Sequence, residues 1–202
     1  MKPIIALDAD GVLLDYHAAY RAAWARAFGI LPRLRDPNAY WPIDRWEVRQ
    51  LAGTELNHFR QFFNDDFWST IPPNSGAVDA CIRLDDAGFE LVCVSAIEET
   101  FREALSRNLR SLGFPINRII ATSSDGVSKS PKAEVLHQLQ PIAFVDDYLP
   151  YHVGVSSKIH RALVLREANG SPNVGTNLNL VDSTHINLAS FADWWLLHRK
   201  GA

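Results

Sequence analysis

Apolar residues come in two rhythms along this chain. Short unbroken runs occur at Ile4-Ile5-Ala6-Leu7, Leu91-Val92-Cys93-Val94, Arg118-Ile119-Ile120-Ala121, Ile142-Ala143-Phe144-Val145 and Arg161-Ala162-Leu163-Val164-Leu165. Runs of this length and continuity predict strands buried on both faces of a parallel sheet. Between them apolar residues recur every three or four positions, the period of an amphipathic helix. Asp15 is placed to cap a helix carrying Tyr16, Ala19, Tyr20, Ala23, Trp24, Ala27 and Phe28, with Gly29 closing it. Further helices are predicted over 76–86, 98–112, from Pro131 to about Leu139, and over 188–198.

Strand and helix alternating at this spacing define βαβ units, and hence an α/β, Rossmann-like parallel sheet flanked by helices. One stretch breaks the alternation. Residues 16–71 are helical and aromatic-rich with no strand signal, and Pro72-Pro73 ends them. Prolines 32, 37 and 42 exclude regular helix from 31 to 42, and the pattern predicts a second helix from about Trp46 to Phe63. The expected organisation is therefore a core of residues 1–15 and 72–202, with a small helical cap of residues 16–71 inserted after the first strand. The Asn- and Gly-rich segment 168–180 reads as an irregular connector.

Composition narrows the class. A chain of 202 residues accommodates one domain with a sizeable insertion. The net charge of −3 supplies no basic field for a nucleic-acid backbone. Cys81 and Cys93 are the only cysteines, too few for a disulfide framework, which points to a reducing compartment and so to the cytoplasm. Asp8 and Asp10 interrupt the first apolar run before it reaches the length of a signal sequence, and nothing approaches the roughly 18 apolar residues of a membrane span.

The candidate chemistry sits where the apolar runs stop. In an open parallel sheet, ligands bind beyond the carboxyl ends of the strands. The first strand ends in Asp8 and Asp10, the second in Ser95, the third in Thr122-Ser123-Ser124 with Lys129 and Lys132 beyond, and the fourth in Asp146-Asp147. Carboxylates this close repel one another and are costly to bury unpaired. One or two lysines do not balance four of them. Mg²⁺, which prefers carboxylates, a backbone carbonyl and waters, makes up the difference. Such a site suits an anionic, oxygen-rich substrate, phosphate being the common one. Asp8 is then a nucleophile toward phosphorus and Asp10 a general acid/base.

These residues resemble the motifs of the haloacid dehalogenase (HAD) superfamily. Asp8-Ala9-Asp10-Gly11-Val12-Leu13 is similar to its first motif, DxDGxL. Ser95 after a strand resembles the second, Lys132 at a helix start the third, and Val145-Asp146-Asp147 the fourth, in the family's order. The resemblance implies that Mg²⁺ is held by the Asp8 carboxylate, the Asp10 backbone carbonyl and Asp146, with Asp147 as a further acid on the metal side. It implies that Ser95 and Lys132 hold the phosphoryl oxygens, Lys132 being preferred to Lys129. The insertion matches the position of the family's C1-type cap, which covers the site and selects the leaving group.

Absences within the motifs also discriminate. No lysine lies between Lys2 and Lys129, so the Schiff-base chemistry of the phosphonatase branch has no cap lysine to use. The dehalogenase branch lacks the second aspartate of the first motif and works without metal, so Asp10 argues against it. A Mg²⁺-dependent phosphatase acting on a small soluble phosphorylated metabolite (a nucleotide, a sugar phosphate or similar) is the expectation, as a monomer or homodimer. A phosphotransferase or mutase, or a phosphate-binding protein without turnover, are the alternatives. Most cap aromatics are expected to form the cap's own core, and His17 and His58 read as surface or core histidines.

Overall fold

The computed structural model describes residues 2–123 and 130–198. Ser124 and Lys129, both named above, lie outside them. Six parallel strands form one sheet: β1 Ile4–Leu7, β2 Glu90–Ser95, β3 Arg118–Ala121, β4 Ala143–Asp146, β5 His160–Val164 and β6 Ser183–His185, in the order β3-β2-β1-β4-β5-β6. The sheet is pinned by pairings such as Ile5 with Leu91 on one side of β1 and with Ala143 on the other. Successive side chains alternate between its faces. Ile5, Leu7, Leu91, Cys93, Val145 and Val164 enter one large apolar cluster. Ala6, Val92, Val94 and Phe144 enter a smaller one with Leu136, Val155 and Ile159 on the other face. The fold is therefore the α/β, Rossmann-like sheet that the apolar runs predict. No helix among the described residues is long and apolar enough to cross a membrane.

The first helix, α1 Tyr16–Phe28, begins as expected: the Asp15 carboxylate accepts from the Ala18 amide at 3.0 Å. It ends at Gly29 in the left-handed conformation (φ 70°), which spares any side-chain clash there. The expected helix from Trp46 to Phe63 is not formed as one piece. The chain makes α2 Pro42–Arg45, α3 Gly53–Arg60 and α4 Asp65–Thr70, with an extended link between α2 and α3. Backbone pairing wins there: the Arg35 amide donates to the Arg45 carbonyl (2.8 Å), the Glu47 amide to Arg33 (2.9 Å), and the Trp46 indole to the His17 carbonyl (3.1 Å). These bonds take up groups that a helix through 46–52 would need for itself.

Rings hold the inserted helices together. Trp24 lies 4.6 Å from Phe28 and 5.2 Å from Phe59, and Phe63 lies 4.8 Å from Phe67. The insertion is fastened to α6 Arg102–Ser111 and the turn just before it by the Trp68–Phe101 ring pair, the Arg107–Asp65 ion pair and the buried Asn108 amide, which donates to the Ile71 carbonyl at 2.9 Å. The remaining helices, α5 Ala77–Asp86, α7 Ala133–Leu139 and α8 Leu188–His198, fall where the periodicity places them. Strand β6 was not expected: Ser183-Thr184-His185 has no apolar run, and it forms because β5 offers it a free edge.

Candidate active site

Between β1 and β4 the strand order reverses direction through the sheet, and the residues following those two strands meet there. The Asp8 amide still donates to the Val145 carbonyl (2.9 Å), so Asp8 is held as if the strand continued. The chain then turns sharply, with the Leu13 and Leu14 amides both donating to the Ala9 carbonyl at 2.9 and 2.8 Å. Gly11 sits at φ 81°, and a Cβ there would lie 2.5 Å from an Asp147 carboxylate oxygen and 2.6 Å from the Arg166 Nε. Only a residue without a side chain lets the turn and that ion pair pass so closely.

Asp146 closes β4, and its Oδ1 accepts from the Tyr148 amide at 2.8 Å. Lys132 stands at the start of α7, fully buried. Its ammonium donates to Asp8 Oδ1 at 2.5 Å and to Asp146 Oδ2 at 2.6 Å, and lies 4.9 Å from the centre of the Tyr151 ring. Asp147 is anchored from three directions. Arg166 Nε donates to its Oδ2 at 2.7 Å, the Tyr40 hydroxyl to the same oxygen at 3.2 Å, and the Asn173 amide to its backbone carbonyl at 2.7 Å. One carboxylate oxygen from each of Asp8, Asp146 and Asp147 falls within 4.8 Å of the others. The Asp10 carboxyl stands outside this group of three, and its Oδ1 is buried with no partner among the described residues. Ser95 ends β2, buried, on the wall of the same cavity.

Electrostatics follow from this crowding. Burial, with repulsion from Asp146 and Asp147, lifts the Asp8 carboxyl well above the ordinary range despite the Lys132 ammonium. Burial and the neighbouring Asp8 push Asp10 up to about 8. Burial also raises Asp146, while Lys132 pulls it back. Burial works against the Lys132 ammonium too, but Asp146 and Asp8 outweigh it and hold it charged. With all four ionised, Asp8, Asp10, Asp146 and Asp147 face two cations, Lys132 and Arg166, which leaves two negative charges uncompensated. The three converging carboxylates could hold a metal ion, and the charge of a divalent one would equal that deficit.

Every described site residue named from the sequence, Asp8, Asp10, Ser95, Lys132, Asp146 and Asp147, lies in this one region. Arg166 was missed, although it lies two residues beyond β5 and the rule of strand ends that located the aspartates applies to it equally. Tyr40 and Asn173 were missed as well. Asn173 makes the 168–180 segment more than a connector, since its side chain also accepts from the Leu149 amide at 2.7 Å. His17, read as a surface or core histidine, is buried and lines the cavity above the carboxylates.

No protein-family model matches this sequence, and no curated protein matches it. Solved structures do. A haloacid dehalogenase-like family hydrolase from Streptococcus pneumoniae superposes with a TM-score of 0.64 at 13% identity, over 96% of this chain and 98% of that one. The L-2-haloacid dehalogenase PA0810 gives 0.61 at 14% identity, over 96% of this chain and 100% of that one. A HAD family hydrolase from Deinococcus radiodurans R1, with bound phosphate and sodium, gives 0.61 at 15% identity, over 94% and 93%. The chain has the fold of the HAD superfamily.

Proposed function

We propose that this protein is a Mg²⁺-dependent phosphatase that hydrolyses a small phosphomonoester through an aspartyl-phosphate on Asp8. The observation that carries this reading is the meeting of Asp8, Asp146 and Asp147 around the buried Lys132 ammonium, beneath an open cavity of about 650 Å³. Asp8, Asp146 and Asp147 are the side chains that would hold the cation, with the Asp10 carbonyl as the further ligand the family resemblance implies. When bound, it would supply positive charge against the phosphoryl oxygens. Lys132 keeps Asp8 oriented, and with the Ser95 hydroxyl it faces the oxygens of the transferred group. Asp10, whose carboxyl burial and the neighbouring Asp8 push up to about 8, is the acid that would give a proton to the leaving oxygen and later recover one from water.

Dehalogenation is the competing chemistry on this fold, and several of the similar structures are dehalogenases. It uses the nucleophile without a metal or a second acid. The carboxylate trio and the unpartnered Asp10 oxygen favour phosphoryl transfer. Hydrolysis of p-nitrophenyl phosphate is expected to require Mg²⁺ and to disappear in Asp8→Asn. Turnover that survives that substitution overturns the nucleophile assignment.

A further inference from the structure

The cavity above the carboxylates is walled on the side of the inserted helices by residues without charge, among them Tyr20, Tyr40, Trp41 and Trp68. Its one cation among the described residues, Arg166, is already committed, with Nε on Asp147 and Nη1 on Glu167. A leaving group carrying a further negative charge would find no free counter-charge among those residues. A polyol would find few of the paired carboxylate and amide groups that read hydroxyls.

The rings are not equally available. Tyr40 has Arg166 over its ring at 5.1 Å and Tyr151 has Lys132 at 4.9 Å. Trp68 is stacked on Phe101, and Tyr20 on Trp24. Trp41 and Tyr148 meet edge to face, 6.3 Å apart at 72°, and every ring contact described for either is of that kind. Trp41 is 41% exposed although it lines a cavity. In an edge-to-face pair one ring's edge covers part of the other's face, so the ring surface left for stacking is the exposed part of Trp41.

We propose that the substrate is a phosphomonoester whose alcohol carries a flat aromatic ring without net charge, stacked on the exposed surface of Trp41 with its edge toward Tyr148. Nucleoside monophosphates and phosphorylated pyridine alcohols share that chemistry. The inference rests on the phosphatase reading for the phosphoryl end and adds the identity of the other end.

The test compares kcat/KM for AMP and pyridoxine 5'-phosphate with that for glucose 6-phosphate and glycerol 1-phosphate, with Mg²⁺, in the wild type and in Trp41→Ala. The ring-bearing substrates are expected to lead by at least about tenfold, and Trp41→Ala to cut that lead by about tenfold through KM, the scale of one lost base–aromatic stack. Equal kcat/KM for the two groups, or a loss in Trp41→Ala that is the same for both, overturns the proposal. Should no phosphomonoester be turned over, the phosphatase reading fails by itself. Calorimetric binding of AMP against glucose 6-phosphate to Asp8→Asn then decides the ring preference. Binding of AMP at least about tenfold tighter supports it, and equal or absent binding overturns it.

Discussion

Loading the site with Mg²⁺ is the perturbation that most directly tests the carboxylate cluster, because it reads stability and needs no substrate. Asp8 and Asp10 have carboxyl pKa values above those of an unfolded chain, so between about pH 4 and pH 8 the folded protein holds more protons than the unfolded one. The sign is fixed by linkage: when the native state binds the extra protons, stability falls as pH rises. Metal-free protein is therefore expected to lose stability from these groups toward pH 8, where two uncompensated negative charges have to be carried. A cation that binds only the folded state reverses this, and at a hundred times its Kd contributes about 2.7 kcal/mol. For a domain of this size that is roughly 5–11 °C in Tm. Scanning fluorimetry in EDTA and in excess Mg²⁺, at pH 6 and pH 8, should show the larger shift at pH 8, since protons compete for the same oxygens. The shift should be lost in Asp146→Asn. An equal Tm with and without Mg²⁺ at pH 8, or a shift that persists in Asp146→Asn, refutes the assignment of this cluster as a cation site.

Other residues make separate predictions. Gly11→Ala places a Cβ against both Arg166 and Asp147 at a φ of 81°, and should cost about 1–2 kcal/mol from the backbone alone, visible as a lower urea midpoint. A midpoint unchanged from wild type would show that the close pass is not enforced. His152 is fully buried against Phe144, 5.0 Å between rings, and burial with the nearby Lys132 ammonium pushes its pKa down to about 3. Its stabilising neutral form is intact above about pH 6.5 and is lost as pH falls toward 3. His152→Leu should therefore flatten the wild-type decline in unfolding free energy over that window by up to about 1.4 kcal/mol per pH unit, and an unchanged slope contradicts this. Asn108→Ala leaves the buried Ile71 carbonyl unpaired and should destabilise by about 1–3 kcal/mol in chemical denaturation.

The parts of the fold legible in the sequence were those fixed by burial on both faces of a sheet. Ile4–Leu7 and Ala143–Asp146 read as strands because a buried parallel strand has no polar position to disguise it. Ser183–His185 carried no such mark, since an edge strand needs only one partner and tolerates polar residues. The missing helix over 46–52 has a different cause. Its apolar spacing was real, but Trp46 and its neighbours bury themselves by pairing with 33–35 and bonding His17, and those contacts lie many residues away. Local periodicity measures which residues seek burial, and leaves open what buries them.

The candidate site divides along the same line. Asp8, Ser95 and Asp146 were legible because each is a polar residue at the end of a greasy run, where a parallel sheet collects its ligands. Arg166 satisfies the same criterion after β5, and it changes the charge balance: with it, the deficit is two rather than three and matches one divalent cation. Tyr40 and Asn173 satisfy no such rule. One comes from the loop between α1 and α2 and the other from the segment after β5, and they converge on Asp147 only because the chain folds both over the sheet. What they hold is a carboxylate and its backbone, so the insertion takes part in positioning the charged site as well as covering it. A residue that lines the cavity is thereby tied, through one hydroxyl, to the acid below it. Tyr40 belongs both to the cavity wall and to the carboxylate cluster, and neither its spacing nor its neighbours in the sequence mark it for either.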